Sequence, residues 1–179
     1  YNEAEVLYTD ALKIFDSNED IHFNMAVLYE KAGKLDEMEK HLRAVIKIDP
    51  EHAEALNYLG YSFAERGTNL DEALSLIQKA LKAKPESGYI TDSLGWVYFK
   101  LGRYKDSIDT LKKAIGLVND DPVIYEHLGD VYLKMGMKDK ALESWKKSLE
   151  FGSKEEGVME RVEKKIKEVE KNGLLVPAR

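Results

Sequence analysis

The sequence predicts an all-α fold, a solenoid of stacked helix-turn-helix units. Three observations predict it. The first is a pattern repeated four times: Met25, Ala26, Tyr29, Gly33, Met38, Leu42, Val45; Leu59, Gly60, Phe63, Gly67, Ala73, Ile77, Ala80; Leu94, Gly95, Tyr98, Gly102, Ser107, Leu111, Ala114; and Leu128, Gly129, Tyr132, Gly136, Ala141, Trp145, Ser148. The second is that each copy holds two runs at helical spacing, separated by a glycine that can take a left-handed turn. The third is composition. Of 179 residues, 44% are hydrophobic and 34% charged, with four prolines, which suits a helical chain that folds rather than a disordered one. One helix pair cannot bury its own apolar face, so the copies must stack.

A period of about 34 residues with this spacing resembles the tetratricopeptide-repeat family over nearly the whole chain. The resemblance implies a right-handed α-solenoid, with the first helix of each repeat on the concave face and the second on the convex face.

The chain divides in order. Residues 1–18, with Ala4, Tyr8 and Ala11, match the second helix of a repeat, as though the chain were cut from a longer one. Repeat one is 19–52. Asp20 is placed to cap its first helix, and Gly33 to end it. Met38 and Val45 stand where the family prefers alanine, so packing there should be looser. Repeat two is 53–87, with one extra residue absorbed in the turn Gly67–Leu70. Repeat three is 88–121 and repeat four 122–154. A capping helix over 155–172 carries Val158, Val162, Ile166 and Val169 on one stripe, with Lys and Glu opposite. An apolar tail follows at 173–179. Gly60, Gly95 and Gly129 mark close helix approaches, at a cost of about 1 kcal/mol each relative to alanine.

The helical wheel separates core from groove. Leu59 and Phe63 share the core stripe of repeat two; Leu94, Tyr98 and Leu101 share that of repeat three. Roughly opposite lie the groove residues. These are Phe23, Asn24 and Val27 in repeat one, and Asn57, Tyr58 and Tyr61 in repeat two. Repeat three adds Tyr89, Asp92, Trp96 and Phe99, and repeat four Glu126, Asp130 and Leu133. Trp145 reads as core. Trp96 does not, because Leu94 and Tyr98 already occupy the core face of its helix, so Trp96 and Phe99 are expected to be exposed as part of an aromatic floor. Asp20, Glu30, Glu54, Asp92, Glu126 and Asp130 give that floor an acidic rim.

The expected function is therefore a non-catalytic interaction scaffold or adaptor. Its groove would hold a peptide or helix of a protein partner with apolar anchors and, given the acidic rim, basic flanks. The carboxylate clamp of one branch of the family is not expected, since Phe23, Val27, Tyr58, Tyr89 and Ser93 stand where its basic residues would be. The net charge of -6 argues against nucleic acid. No apolar run approaches the roughly 20 residues of a membrane helix. The four histidines, His22, His41, His52 and His127, show no ligand spacing, and no phosphate loop or nucleophile elbow is present, so no metal, cofactor or enzyme activity is expected. Asn57–Tyr61, Asn69–Ala73 and Asp92–Trp96 also resemble repeat lipoproteins of Gram-negative envelopes, which implies a periplasmic rather than cytoplasmic location. Rival readings are a homo-oligomer joined through the tail or the solenoid ends, and a regulatory piece of a larger enzyme.

Overall fold

A computed structural model describes residues 5–10, 18–152 and 157–173. The chain is all-α, and among the described residues there is no strand. It divides into two compact units, Tyr1–Pro85 and Glu86–Arg179.

Unit 1 contains a helical stretch at 5–10 (α1), then α2 (Glu19–Lys31), α3 (Leu35–Ile48), α4 (Ala53–Arg66) and α5 (Leu70–Ala83). α2 pairs with α3 and α4 with α5, and α3 also packs on α4. Asn18, not Asp20, caps α2: its side chain accepts from Ile21 N at 2.9 Å. Asp20 lies inside the first turn, where its charge faces the positive helix end. Gly33 does follow α2 with φ +70°. Met38, Leu42 and Val45 are all fully buried, so the larger side chains in this pair are absorbed in its core. The extra residue of repeat two appears as Asn69, a non-glycine at φ 48° just before α5. Glu5 ties α1 to the first pair, accepting from Tyr29 Oη at 3.0 Å and Lys34 Nζ at 3.2 Å.

Unit 2 contains α6 (Gly88–Lys100), α7 (Tyr104–Leu117), α8 (Pro122–Lys134), α9 (Lys138–Phe151) and α10 (Val158–Gly173). α6 pairs with α7 and α8 with α9, while α7 packs on α8 and α10 closes on α9. Leu111, Trp145, Val158 and Val162 join one core at 0% exposure. In the α4–α5, α6–α7 and α8–α9 pairs a glycine of the first helix receives a large side chain of the second. A Cβ on Gly60 would lie 2.7 Å from Ile77 Cγ1, on Gly95 2.7 Å from Leu111 Cγ, and on Gly129 2.4 Å from the Trp145 ring. The Ser107 hydroxyl, at the small-residue position of α7, donates to Gly95 O at 2.7 Å.

The apolar stripe of α10 is buried as its spacing predicts. The predicted N-terminal half-repeat lies partly, and the apolar tail from 174 on wholly, outside the described residues.

Candidate functional site

The expected groove residues fall in both units, and each unit arranges them differently. In unit 1 they lie on α2 and α4. Phe23 stacks on His52, with centroids 5.5 Å apart, and meets the Tyr58 ring at 6.1 Å. The Tyr58 hydroxyl donates to Glu30. Burial, and then this carboxylate, raise the Tyr58 pKa well above the ordinary phenol value. Asn24 is exposed, whereas Val27 and Tyr61 are half-buried. Asn57 Oδ1 is buried with no hydrogen-bond partner among the described residues.

In unit 2 the same face is closed. Trp96 is only 7% exposed, against the expectation of an open ring. It stacks on two rings: His127 at 4.1 Å and Phe99 at 4.8 Å. The cause is the neighbouring repeat. Helical spacing places Trp96 away from its own pair's core, but α8 covers that side. Every residue from Ile90 to Val97 is buried, so α6 has no free stripe, while Tyr98 and Leu101 of the expected core stripe are only half-buried. Phe99 is half-buried, and Tyr89 keeps 61% of its surface.

The acidic rim is also largely engaged. Asp92 is 6% exposed, and its two carboxylate oxygens lie 2.9 and 3.1 Å from His127 Nδ1. Burial pushes the His127 pKa down, but Asp92, by charge and hydrogen bond, pushes it up, and the net direction is up. Glu126, 2% exposed, accepts two bonds from Arg161 at 2.7 Å and one from Lys165 at 2.6 Å. Burial raises the Glu126 carboxyl, yet Arg161 and Lys165 outweigh it and hold it below its ordinary value. Asp130 accepts from Lys165 at 2.6 and 2.8 Å and from Trp145 Nε1 at 3.1 Å; here burial wins and the carboxyl is raised. In unit 1 Glu54 pairs with Lys84. Asp20 remains exposed. The cations that satisfy Glu126 and Asp130 come from α10, whose Lys and Glu face reads in sequence as mere solvated surface.

An opening is present on this face of unit 2. A cavity of about 430 Å³ is lined by Phe99, Asp130, Leu133, Lys134, Trp145 and Lys165. Leu133 is 37% exposed beside it.

Sequence reasoning also missed a histidine contact. His22 Nδ1 and His41 Nδ1 lie 2.8 Å apart, so one ring donates and the other, neutral, accepts. Tyr29 stacks on His41 at 5.4 Å. Burial, then His22 and Lys40, lower the His41 pKa. Their 19-residue separation across a helical hairpin gives no recognisable motif. Among the described residues no group of three or more His, Cys, Asp or Glu could hold a metal ion, and no helix is long and apolar enough to cross a membrane.

Comparison with known proteins follows the same periodicity. The tetratricopeptide repeat description matches residues 23–88 and 123–151, and the TPR repeat description matches 95–136. A TPR repeat-containing protein of Pseudomonas aeruginosa is 39% identical over 106 residues, covering 59% of this chain but 18% of its own length. The chain thus spans about a fifth of that relative. A tetratricopeptide repeat protein from Parabacteroides merdae superposes with a TM-score of 0.82 at 25% identity, covering 95% of this chain and 66% of that one. A thermophilic TPR protein of Thermus thermophilus gives 0.74 at 25% identity over 89% and 87%.

Proposed function

We propose, from the premise that this chain belongs to the tetratricopeptide-repeat family, that it is a non-catalytic scaffold whose concave face holds a peptide or helix of a protein partner. Repeat proteins of this kind stack helix pairs into extended binding surfaces rather than building a catalytic constellation. The observation that carries the reading is the cavity bounded by Phe99, Leu133 and Trp145. It is a part of the expected groove where apolar surface stays accessible beside polar groups, the usual setting of a binding anchor. The partner therefore brings an apolar anchor. Basic flanks lose their physical ground in unit 2, because Glu126 and Asp130 already have cationic partners and Asp92 is engaged by His127. The envelope location belongs to the same proposal and rests on the resemblance of the three short segments around Asn57, Asn69 and Asp92.

A displayed peptide library panned on the whole chain tests this. Selected peptides should carry an aromatic or branched residue, and Leu133→Asp should weaken them at least about tenfold, which is about 1.4 kcal/mol, without altering the thermal midpoint. Peptides bound equally by wild type and Leu133→Asp would remove the groove reading.

A further inference from the structure

A second cleft lies on another face of unit 2, where the second helices α7 and α9 flank α8. Its cavity of about 340 Å³ is floored by Tyr125, Leu128 and Tyr132 and rimmed by Lys112, Lys140 and Lys147. Lys140 Nζ is 5.6 Å from the Tyr132 ring centroid and Lys147 Nζ 5.7 Å from that of Tyr125. None of the three lysines is ion-paired with a described residue. Glu143 is the one carboxylate lining the cleft among the described residues.

Unit 1 shows what normally spans this position. Arg43 of α3 reaches across to Glu72 of α5, with bonds of 2.8 and 3.1 Å. The register of the two units is fixed by buried residues. Arg43 follows Leu42 as Lys112 follows Leu111, and Glu72 precedes Ala73 as Lys140 precedes Ala141; all four of those apolar neighbours are 0% exposed. The cross-cleft pair is thus cation and anion in unit 1 but cation and cation in unit 2. The fold keeps the seat of the brace while the sequence withholds its carboxylate.

We propose that this cleft docks an acidic, unmodified peptide segment of a protein partner. Its carboxylates take the place that Glu72 fills in unit 1, between Lys112 and Lys140, and its apolar side chain enters the tyrosine-floored cavity. Aromatic floors with cations at the rim suit such a segment, since the rings supply contact area and the ammonium groups supply sign. The chain's net charge of -6 opposes an acidic partner at long range. Selection therefore acts within about 8 Å, the screening length at physiological salt.

The test uses the full chain and a fluorescein-labelled Glu-Asp-Glu-Phe-Glu-Asp-Glu peptide, read by anisotropy. Gln-Asn and Lys-Arg counterparts of that peptide are controls, and the key variant is Lys140→Glu. This substitution recreates the unit 1 charge pattern opposite Lys112, so it should raise or preserve the thermal midpoint while weakening the acidic peptide at least about tenfold. The Leu133→Asp variant, on the other face, should bind it as wild type does. The proposal is overturned if the acidic peptide binds no better than its Gln-Asn counterpart up to about 1 mM, or if Lys140→Glu binds it undiminished. Displacement by polyphosphate as readily as by peptide would make the cleft a general anion site and overturn it too. So would a sedimenting dimer abolished by Lys140→Glu, which would make the occupant a second copy.

Discussion

The two units solve the same packing problem with opposite chemistry. Three residues before the small residue of α2, α6 and α8 stands a side chain that meets the helix or helix pair next along its own unit. In unit 1 it is Phe23, which meets Tyr58. In unit 2 it is Asp92, which meets His127, and then Glu126, which meets Arg161. On the face of the second helices the pattern reverses: unit 1 has the Arg43–Glu72 ion pair, and unit 2 has Lys112, Lys140 and Lys147, none of them in an ion pair with a described residue. Ionic closure therefore sits on the first-helix face of one unit and on the second-helix face of the other. Backbone geometry in these repeats sets where neighbours meet. It does not set what they exchange, and the face left without a closing partner is where a ligand can act.

The comparison sharpens most through glycine. Gly129→Ala drives a Cβ to 2.4 Å from a rigid indole, whereas in Gly60→Ala the neighbour is an Ile77 side chain that can turn. Gly129→Ala should destabilise unit 2 by about 1–3 kcal/mol, more than Gly60→Ala costs unit 1. Urea unfolding of the two variants, followed by circular dichroism, gives the ratio; equal losses would mean the indole gives way as easily as the isoleucine.

The histidines set a second contrast, in pH. The His41 pKa is lowered, chiefly by burial, so its contribution to unit 1 is fully present above the ordinary histidine value of 6.5 and is lost as pH falls through its lowered folded value. His127 runs the other way. Against its burial, Asp92 raises it, so its contribution to unit 2 is fully present below 6.5 and is lost as pH rises through the raised folded value. Glu126 acts in a lower window, where stability is lost as pH falls through a pKa held below 4.5. Asp130, raised by burial, opposes it: its contribution is full below 3.8 and lost as pH rises through its folded value. Unit 1 should thus gain stability as pH rises toward 6.5, and unit 2 should lose stability as pH rises above 6.5. Both tryptophans lie in unit 2, so their fluorescence follows that unit, and histidine ring NMR follows each pair. Asp92→Asn should return the His127 pKa toward or below 6.5 and flatten the unit 2 slope, at a cost of about 1–3 kcal/mol. An unchanged His127 titration in that variant would break the contrast.

The smallest effect belongs to the outer brace. Arg43 and Glu72 keep 45% and 38% of their side-chain surface, so Arg43→Ala should cost unit 1 no more than about 1 kcal/mol, less in high salt. A loss above that, measured by thermal unfolding, would mean that the guanidinium also packs on Phe63, whose ring centroid lies 5.6 Å away.

Much of the fold was legible because periodicity is a local property. Gly33, Gly67, Gly102 and Gly136 all take positive φ at the turns their spacing marks. The large-to-small contacts Ile77–Gly60 and Trp145–Gly129 follow from copies that align. The candidate site was less legible, since its residues answer to the next repeat as well as their own. Trp96 is off its own pair's core, yet His127 lies 35 positions after Asp92 and brings the covering ring. Arg161 lies 35 positions after Glu126, and its role is invisible on a wheel drawn for α10 alone. His22 and His41 meet because α2 and α3 are antiparallel, at a separation no metal motif uses. Reading charge along one helix finds a rim; pairing it across one repeat length finds the closure.

The spacing of these side-chain bonds has a kinetic consequence. Those described here join residues no more than 39 positions apart, Lys165 to Glu126 being the widest. A chain with such short contact separations closes small loops early and folds without waiting for its distant end. As the chain is synthesised from its N-terminus, α6 and α8 can each find a closing partner once the helix that answers them has emerged, so Asp92 is answered when His127 appears and Glu126 when Arg161 does. Assembly then runs as a series of short waits, each about one repeat long.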